Sequence, residues 1–124
     1  MLGSADAIAF VGATDLGRAR DFYEQVLGLP LTSRSDFACV FDANGTMLRV
    51  TAVPGVARGG YTVLGWRVAD IAAAVRDLSA KGVVFSRYDG MDQDDSGVWT
   101  TPGGDMVAWF ADPDGNILSL TQFR

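Results

Sequence analysis

The chain has no histidine, a single cysteine and no long apolar run, and each shortage removes a class of function. Imidazole is the most frequent general base and the commonest metal ligand. Without it, Ser-His-Asp and Cys-His catalysis within one chain is excluded, as are zinc or iron sites that need His. Cys39 alone permits no intramolecular disulfide, and its setting in the apolar run FACVF fits a buried core thiol. No apolar run approaches the roughly 18 residues that a membrane span needs. Basic residues are also few: 10 Lys and Arg against 15 Asp and Glu give a net charge of −5. That field repels phosphate backbones and anionic membranes, and the basic residues are scattered, so neither nucleic acid nor membrane is expected as a partner. The glycine-rich phosphate loops G-x-G-x-x-G and G-x-x-x-x-G-K-[ST] are missing. The opening MLGSADA lacks the basic and apolar regions of a signal peptide, and a cytoplasmic location is expected.

What is present is a pattern that occurs twice. The segment ATDLGRARDFYEQVLGL offers Asp15 as a helix cap, an apolar stripe of Leu16, Ala19, Phe22, Tyr23 and Val26, and Gly28 as the stop. In VADIAAAVRDLSAKGV the cap is Asp70, the stripe Ile71, Ala74, Val75 and Leu78, and the stop Gly82. The caps are 55 positions apart and the stops 54. Strands repeat as well: IAFVGA and VLGWRV precede the helices, while FDANGTMLRV and FADPDGNILSL both run from an aromatic through a tight turn into a strand. Asn-Gly and Asp-Gly suit such turns because they tolerate positive φ.

Each half thus reads strand, helix and three strands. The middle strands fall near Thr32–Ser35 and Phe37–Phe41 in the first half, and near Val84–Tyr88 and Asp105–Phe110 in the second. A half of about 55 residues buries little surface alone, so two halves are expected to share one domain over residues 1–124. Module one spans about 5–53 and module two about 61–123, joined by the Pro/Gly-rich linker 54–60. The expected fold class is α+β: two tandem βαβββ modules whose helices cover one face of a curved sheet, with a cup-shaped cavity on the other.

These motifs carry a resemblance. DLGRARDFYEQVLGL (15–29) and DPDGNILSL (112–120), with YTVLGWRVADIAAAV and GVWTTPGGDMVAWF in order between them, resemble the glyoxalase / bleomycin resistance / dioxygenase superfamily, or vicinal oxygen chelate proteins. The resemblance covers about residues 7 to 123 and implies paired βαβββ modules around a cup, often in homodimers. Enzymes of that family hold a divalent metal with one ligand from the first and one from the fourth strand of each module, usually His or Gln and Glu. The matching positions here are Ile8, Arg49, Val63 and Ser119. Two are aliphatic, one is a permanent cation and one a neutral hydroxyl, so the family's metal chemistry is not expected and neither is a cofactor.

Strand alternation gives a separate argument for a pocket. Leu48 and Val50 oppose Met47, Arg49 and Thr51; Leu64, Trp66 and Val68 oppose Tyr61, Val63, Gly65 and Arg67; Leu118 and Leu120 oppose Ile117, Ser119 and Thr121. The apolar sets should meet the helices, and the mixed sets should line a small-molecule site. The expected ligand contacts are Phe10, Met47, Arg49, Tyr61 and Val63, together with Arg67, Tyr88, Trp99 and Ser119. Arg49 or Arg67 would read an anionic group; the plainer alternatives pair each with a nearby Asp or Glu or project it to water at a strand end. Trp109 and Phe110 read as ordinary core. The acidic stretch DGMDQDDSG lacks the glutamate of a calcium loop and reads as a solvated, partly mobile charge run, or as a lid. No carboxylate pair is spaced as acid and base, so no catalytic residue is assigned. The expectation is a homodimer that binds a small, antibiotic-like molecule without metal. The competing reading is a lyase or isomerase with atypical metal ligands or none.

Overall fold

A computed structural model describes all 124 residues and divides into two compact units, Met1–Arg58 and Gly59–Arg124. The first begins with strand β1 (Ile8–Ala13). Helix α1 (Leu16–Arg20) follows and continues as a wider π-helical turn over Asp21–Val26. Strands β2 (Leu31–Arg34), β3 (Ala38–Ala43) and β4 (Thr46–Ala52) complete it. The sheet order is β1-β4-β3-β2, with β1 and β4 parallel and the rest antiparallel.

Asp15 caps α1 by accepting from the Arg18 N–H at 3.0 Å. The sequence predicts one regular helix up to Gly28, but the second half is π-helical, with Leu27 N–H donating to Phe22 O at 3.0 Å. The widening falls at the consecutive aromatics Phe22 and Tyr23, whose rings meet edge to face at 5.2 Å. Tyr23 packs on Phe41 at 5.9 Å, and with Leu48 and Val50 these residues form the fully buried centre of the unit. Burying each of these large side chains contributes roughly 1.5–3 kcal/mol.

The second unit repeats the plan with β5 (Thr62–Arg67), α2 (Ile71–Ala80), β6 (Trp99–Thr100), β7 (Met106–Ala111) and β8 (Ile117–Gln122). Its sheet order is β5-β8-β7-β6, with β5 and β8 parallel. Asp70 caps α2 through the Ala73 N–H at 3.1 Å, and the Gln122 side chain accepts from the Ile71 N–H at 2.8 Å. The core gathers Phe85, Phe110 and Leu118, with Trp66 stacked on Phe110 at 6.5 Å. The architecture is α+β in two tandem βαβββ modules, and neither sheet closes on itself.

One expected strand is absent. Val84–Tyr88 joins no sheet, and the edge place beside β7 belongs to the two-residue β6. The reason is local: Ser86 N–H donates to Trp109 O at 2.8 Å, but Ser86 O and Tyr88 N–H are both taken by the side chain of Gln93. With those groups occupied, a continuous ladder to β7 cannot form.

Candidate functional site

The helix-distant face of the second sheet carries a row of residues in register: Gly65 on β5, Ser119 on β8 and Trp109 on β7. Ser119 is buried, 7% exposed, and a Cβ added to Gly65 would lie 2.8 Å from its hydroxyl oxygen. A larger residue at 65 would force the Ser119 hydroxyl to shift. Trp109 stands beside this pair and is the centre of an aromatic group. The Tyr88 ring meets it edge to face at 5.5 Å, and Trp99 lies tilted against it at 6.2 Å. Such offset and edge contacts are the favoured arrangements of π-systems.

Against Trp109 lies a cavity of about 210 Å³ lined by Gly60, Tyr61, Thr62, Tyr88, Met91 and Ile117 besides Trp109 itself. None of these side chains is charged. Three hydroxyls and an indole N–H are interspersed with aromatic and aliphatic surface, which suits a neutral ring with polar substituents. Drug-sized ligands occupy about 300–1,000 Å³, so this space takes one ring system of a larger molecule or a small aromatic compound whole.

The segment that supplies Tyr88 and Met91 is the acidic stretch, and it is tied into place. Asp94 accepts through Oδ1 from the N–H groups of Ser96 and Val98 and from the Ser96 hydroxyl, all within 3.0 Å. Burial works against the charge on Asp94, yet these bonds to Val98, Ser96 and Gly97 hold its carboxyl below the ordinary carboxylate value. The Arg87 guanidinium donates to Asp94 O. Hydrogen bonding of this density does not suit a free charge run.

Of the expected contacts, Tyr61 and Tyr88 line this cavity, and Trp99 backs it through Trp109. Ser119 sits in the same sheet face but is covered, and Val63 stays exposed beside it. Arg67 lies elsewhere, with its guanidinium over the Phe123 ring at 5.3 Å, in a separate depression of about 370 Å³ with Val68, Ala69 and Gln122. Phe10, Met47 and Arg49 belong to the first unit, where Phe10 pairs with Arg49 across β1 and β4. They face away from its helix, Phe10 and Met47 exposed and Arg49 half-buried. Neither Arg49 nor Arg67 has a carboxylate partner, so the alternative of local pairing does not apply.

Trp109 corrects the expectation of ordinary core. Phe110 does occupy the core, but alternation turns its neighbour to the cavity side, in register with Ser119. That register was the available signal, since Ser119 was already assigned to the mixed face. Gly60, Thr62 and Ile117 follow from the same face and a β-bulge between Thr62 and Leu64. Met91 had no signal, because its place depends on the fold of the acidic stretch.

The four positions where the resemblance puts metal ligands fit no cation. Ile8 and Val63 are apolar and about half exposed, at 47% and 46%, Arg49 is positive and Ser119 neutral. No group of three or more His, Cys, Asp or Glu side chains gathers anywhere in the chain. No helix is long and apolar enough to cross a membrane.

With repeated modules, register and site in view, the class of protein is defined: the chain belongs to the Glyoxalase/Bleomycin resistance protein/Dioxygenase superfamily, whose family model matches residues 6–120. Among solved structures, it is similar to TnmS3, an antibiotic binding protein from Streptomyces sp. CB03234, at 24% identity and a TM-score of 0.72, covering 100% of this chain and 99% of that one. A bleomycin resistance determinant encoded on the transposon Tn5 matches at 22% identity and a TM-score of 0.73, covering 96% and 98%. Lactoylglutathione lyase from Agrobacterium tumefaciens matches at 17% and 0.74, covering 96% and 93%. At these identities the likeness is one of fold. No curated protein matches the chain.

Proposed function

We propose that this protein binds a small organic molecule without a metal, seating an aromatic ring against Trp109 between Tyr61 and Tyr88, and so sequesters a toxic or antibiotic-like compound. The observation that carries this reading is the uncharged, aromatic-walled cavity of about 210 Å³ in the second unit. Stacking and desolvation of a flat ring there need no cation. Arg49 on the first unit and Arg67 in its own depression of the second have no carboxylate partner, and each is a separate candidate for an anionic group. Fold neighbours that bind antibiotics or confer bleomycin resistance support the same class of ligand.

The protein acts in this reading as a cytoplasmic homodimer. Support for the dimer is the apolar surface of Ile8, Phe10 and Met47, which lies open in the single chain and would be covered by a second copy. Sedimentation of the purified protein tests it, and a monomer at micromolar concentration would refute it.

A thermal-shift screen of chelator-free protein against bleomycin, aromatic acids and hydroxylated polyketide-like compounds tests the ligand class. A ligand at 100 times its Kd stabilises by about 2.7 kcal/mol, well within reach of such a screen. At least one aromatic compound should raise the melting temperature in the presence of EDTA. A stoichiometric divalent ion in elemental analysis, with binding abolished by EDTA, would instead favour the lyase or isomerase reading.

A further inference from the structure

We infer that Gln93 is a positioning residue for the aromatic cavity: its side-chain amide stands in for a missing strand pairing and holds Tyr88 at the wall. The inference rests on the binding reading above for its functional meaning, and on hydrogen bonds alone for its structural one. The Gln93 amide spends all of its strongest capacity inside the segment. Its Oε1 accepts from the Tyr88 N–H at 2.7 Å, while Nε2 donates to Ser86 O at 2.9 Å and to Gly97 O at 2.8 Å. Three backbone groups from two separate stretches of chain, 86–88 and 97, thus converge on one side chain. In the first module the corresponding segment, Leu31–Arg34, meets such needs by pairing directly with β3.

The geometry around Gln93 is built for this bridge. Met91 N–H donates to Tyr88 O at 3.2 Å and Gln93 N–H to Met91 O at 2.9 Å, so the chain doubles back and sends the amide inward. Gln93 and Trp99 also form an isolated antiparallel bridge, which ties the turn to β6. Gly97 adopts φ +96°, and a Cβ there would lie 3.1 Å from the Phe85 Cβ, so its carbonyl can be presented to Gln93 only by glycine at low cost. The outcome is a fixed Tyr88 backbone, five residues from the amide that holds it, with the Tyr88 ring set edge-on to Trp109.

A carboxylate at the same position would accept from Tyr88 but could not donate to the two carbonyls. A leucine would leave two acceptors and one donor without partners. Gln93→Leu should therefore weaken binding of 2-naphthol, a neutral hydroxylated bicyclic probe, at least tenfold by calorimetry. Gln93→Glu should weaken it as well, because its second oxygen would face the two carbonyl oxygens. Near-ultraviolet circular dichroism should lose the signal of the Tyr88–Trp109–Trp99 group in Gln93→Leu while the far-ultraviolet spectrum is kept. The control is Val75→Ala, which thins the core under α2: it should lower the melting temperature yet leave probe affinity and the aromatic signal unchanged. If Gln93→Leu fails to fold, Gln93→Glu carries the same readouts. Unchanged aromatic signal and affinity in the Gln93 variants, or equal losses in Val75→Ala, would overturn the inference. If 2-naphthol does not bind the wild-type protein, the binding reading fails at this probe, and the brace is judged on the aromatic signal alone.

Discussion

The two units share a plan and differ in one insertion, and the aromatic cavity lies where they differ. Both place the first strand parallel to the fourth, cap a helix with Asp and bury a phenylalanine ahead of a tight turn. In the first unit, Gly28 is followed within three residues by β2, a strand that pairs with β3 through a bulge between Leu31 and Ser33. In the second, the chain after Gly82 runs as an irregular, hydrogen-bonded loop before the two-residue β6. The first unit has its own depression, but it is only about 70 Å³ and lies by Cys39, Arg20 and Arg34 on the helix side. The repeated frame thus supplies stability, and the departure from repetition supplies concave aromatic surface.

The most forceful way to break this comparison is in the two cores. Phe41 and Phe110 are buried at matching places in the repeat. Replacing either with alanine should cost about 3–5 kcal/mol, measured by urea denaturation. A loss confined to one of them would mean that the modules do not share the load as their pattern implies.

Next comes the strand approach at Gly65. In Gly65→Ala the new methyl meets the Ser119 hydroxyl at 2.8 Å and the Ser119 carbonyl oxygen at 3.3 Å. The expected cost is about 1–3 kcal/mol. At Gly12 the nearest atom is a methyl of the half-buried Val53 side chain at 3.1 Å, a milder contact, and alanine should cost less. Equal melting temperatures for the two variants would contradict the close packing assigned to Ser119.

A smaller contrast lies in the turns. Asp112 is buried; its Oδ1 accepts from the Asp114 and Asn116 N–H groups at 3.0 and 2.9 Å, and Oδ2 from the Asn116 amide at 2.8 Å. Asp42 holds its turn by one exposed bond, from the Gly45 N–H at 2.7 Å. Asp112→Ala should cost about 1–3 kcal/mol and Asp42→Ala about 0.5–1.5. Chemical denaturation of the pair ranks them, and a reversed order would show that burial is not what distinguishes the turns.

The smallest expected effect is a pH response. Asp94 has its carboxyl held below the ordinary value, so its support for the loop is complete above about pH 3.9 and is lost as pH falls through the lowered value. Fluorescence of the loop-side tryptophans should stay constant from neutral pH down to that range and then change. In Asp94→Asn the acid-side change should be reduced, and an identical acid profile would refute the role of the carboxylate.

How much of this was legible in the sequence follows from how local each signal is. Caps, stops and turns are local, and Asp15, Asp70 and the Asn44-Gly45 turn stand where the residues put them. Strand faces depend on a period of two, and the burial of Leu48, Val50, Leu118 and Leu120 follows it. Two departures needed information that is not local. The strand expected over 84–88 was displaced by a side chain several residues away, Gln93, whose three bonds leave no trace in hydrophobic periodicity. The sequence reads Trp109 as core together with Phe110, and it is the pairing of Trp109 with Ser119 across β7 and β8 that puts it on the other face. The resemblance itself came from motifs spread over the whole chain, which is why the fold was clear while the pocket wall was not.

The central claim is that the second unit's aromatic cavity holds the ligand, and Trp109 stands at its middle. Calorimetric titration of the strongest thermal-shift ligand into wild-type protein and Trp109→Ala, both in EDTA, tests it most directly. The account predicts stoichiometric binding to the wild type and a loss of about 1–3 kcal/mol, roughly tenfold or more in affinity, in the variant, as base–aromatic stacking losses suggest. Equal affinity in the two proteins, or binding that requires a divalent ion, would contradict it.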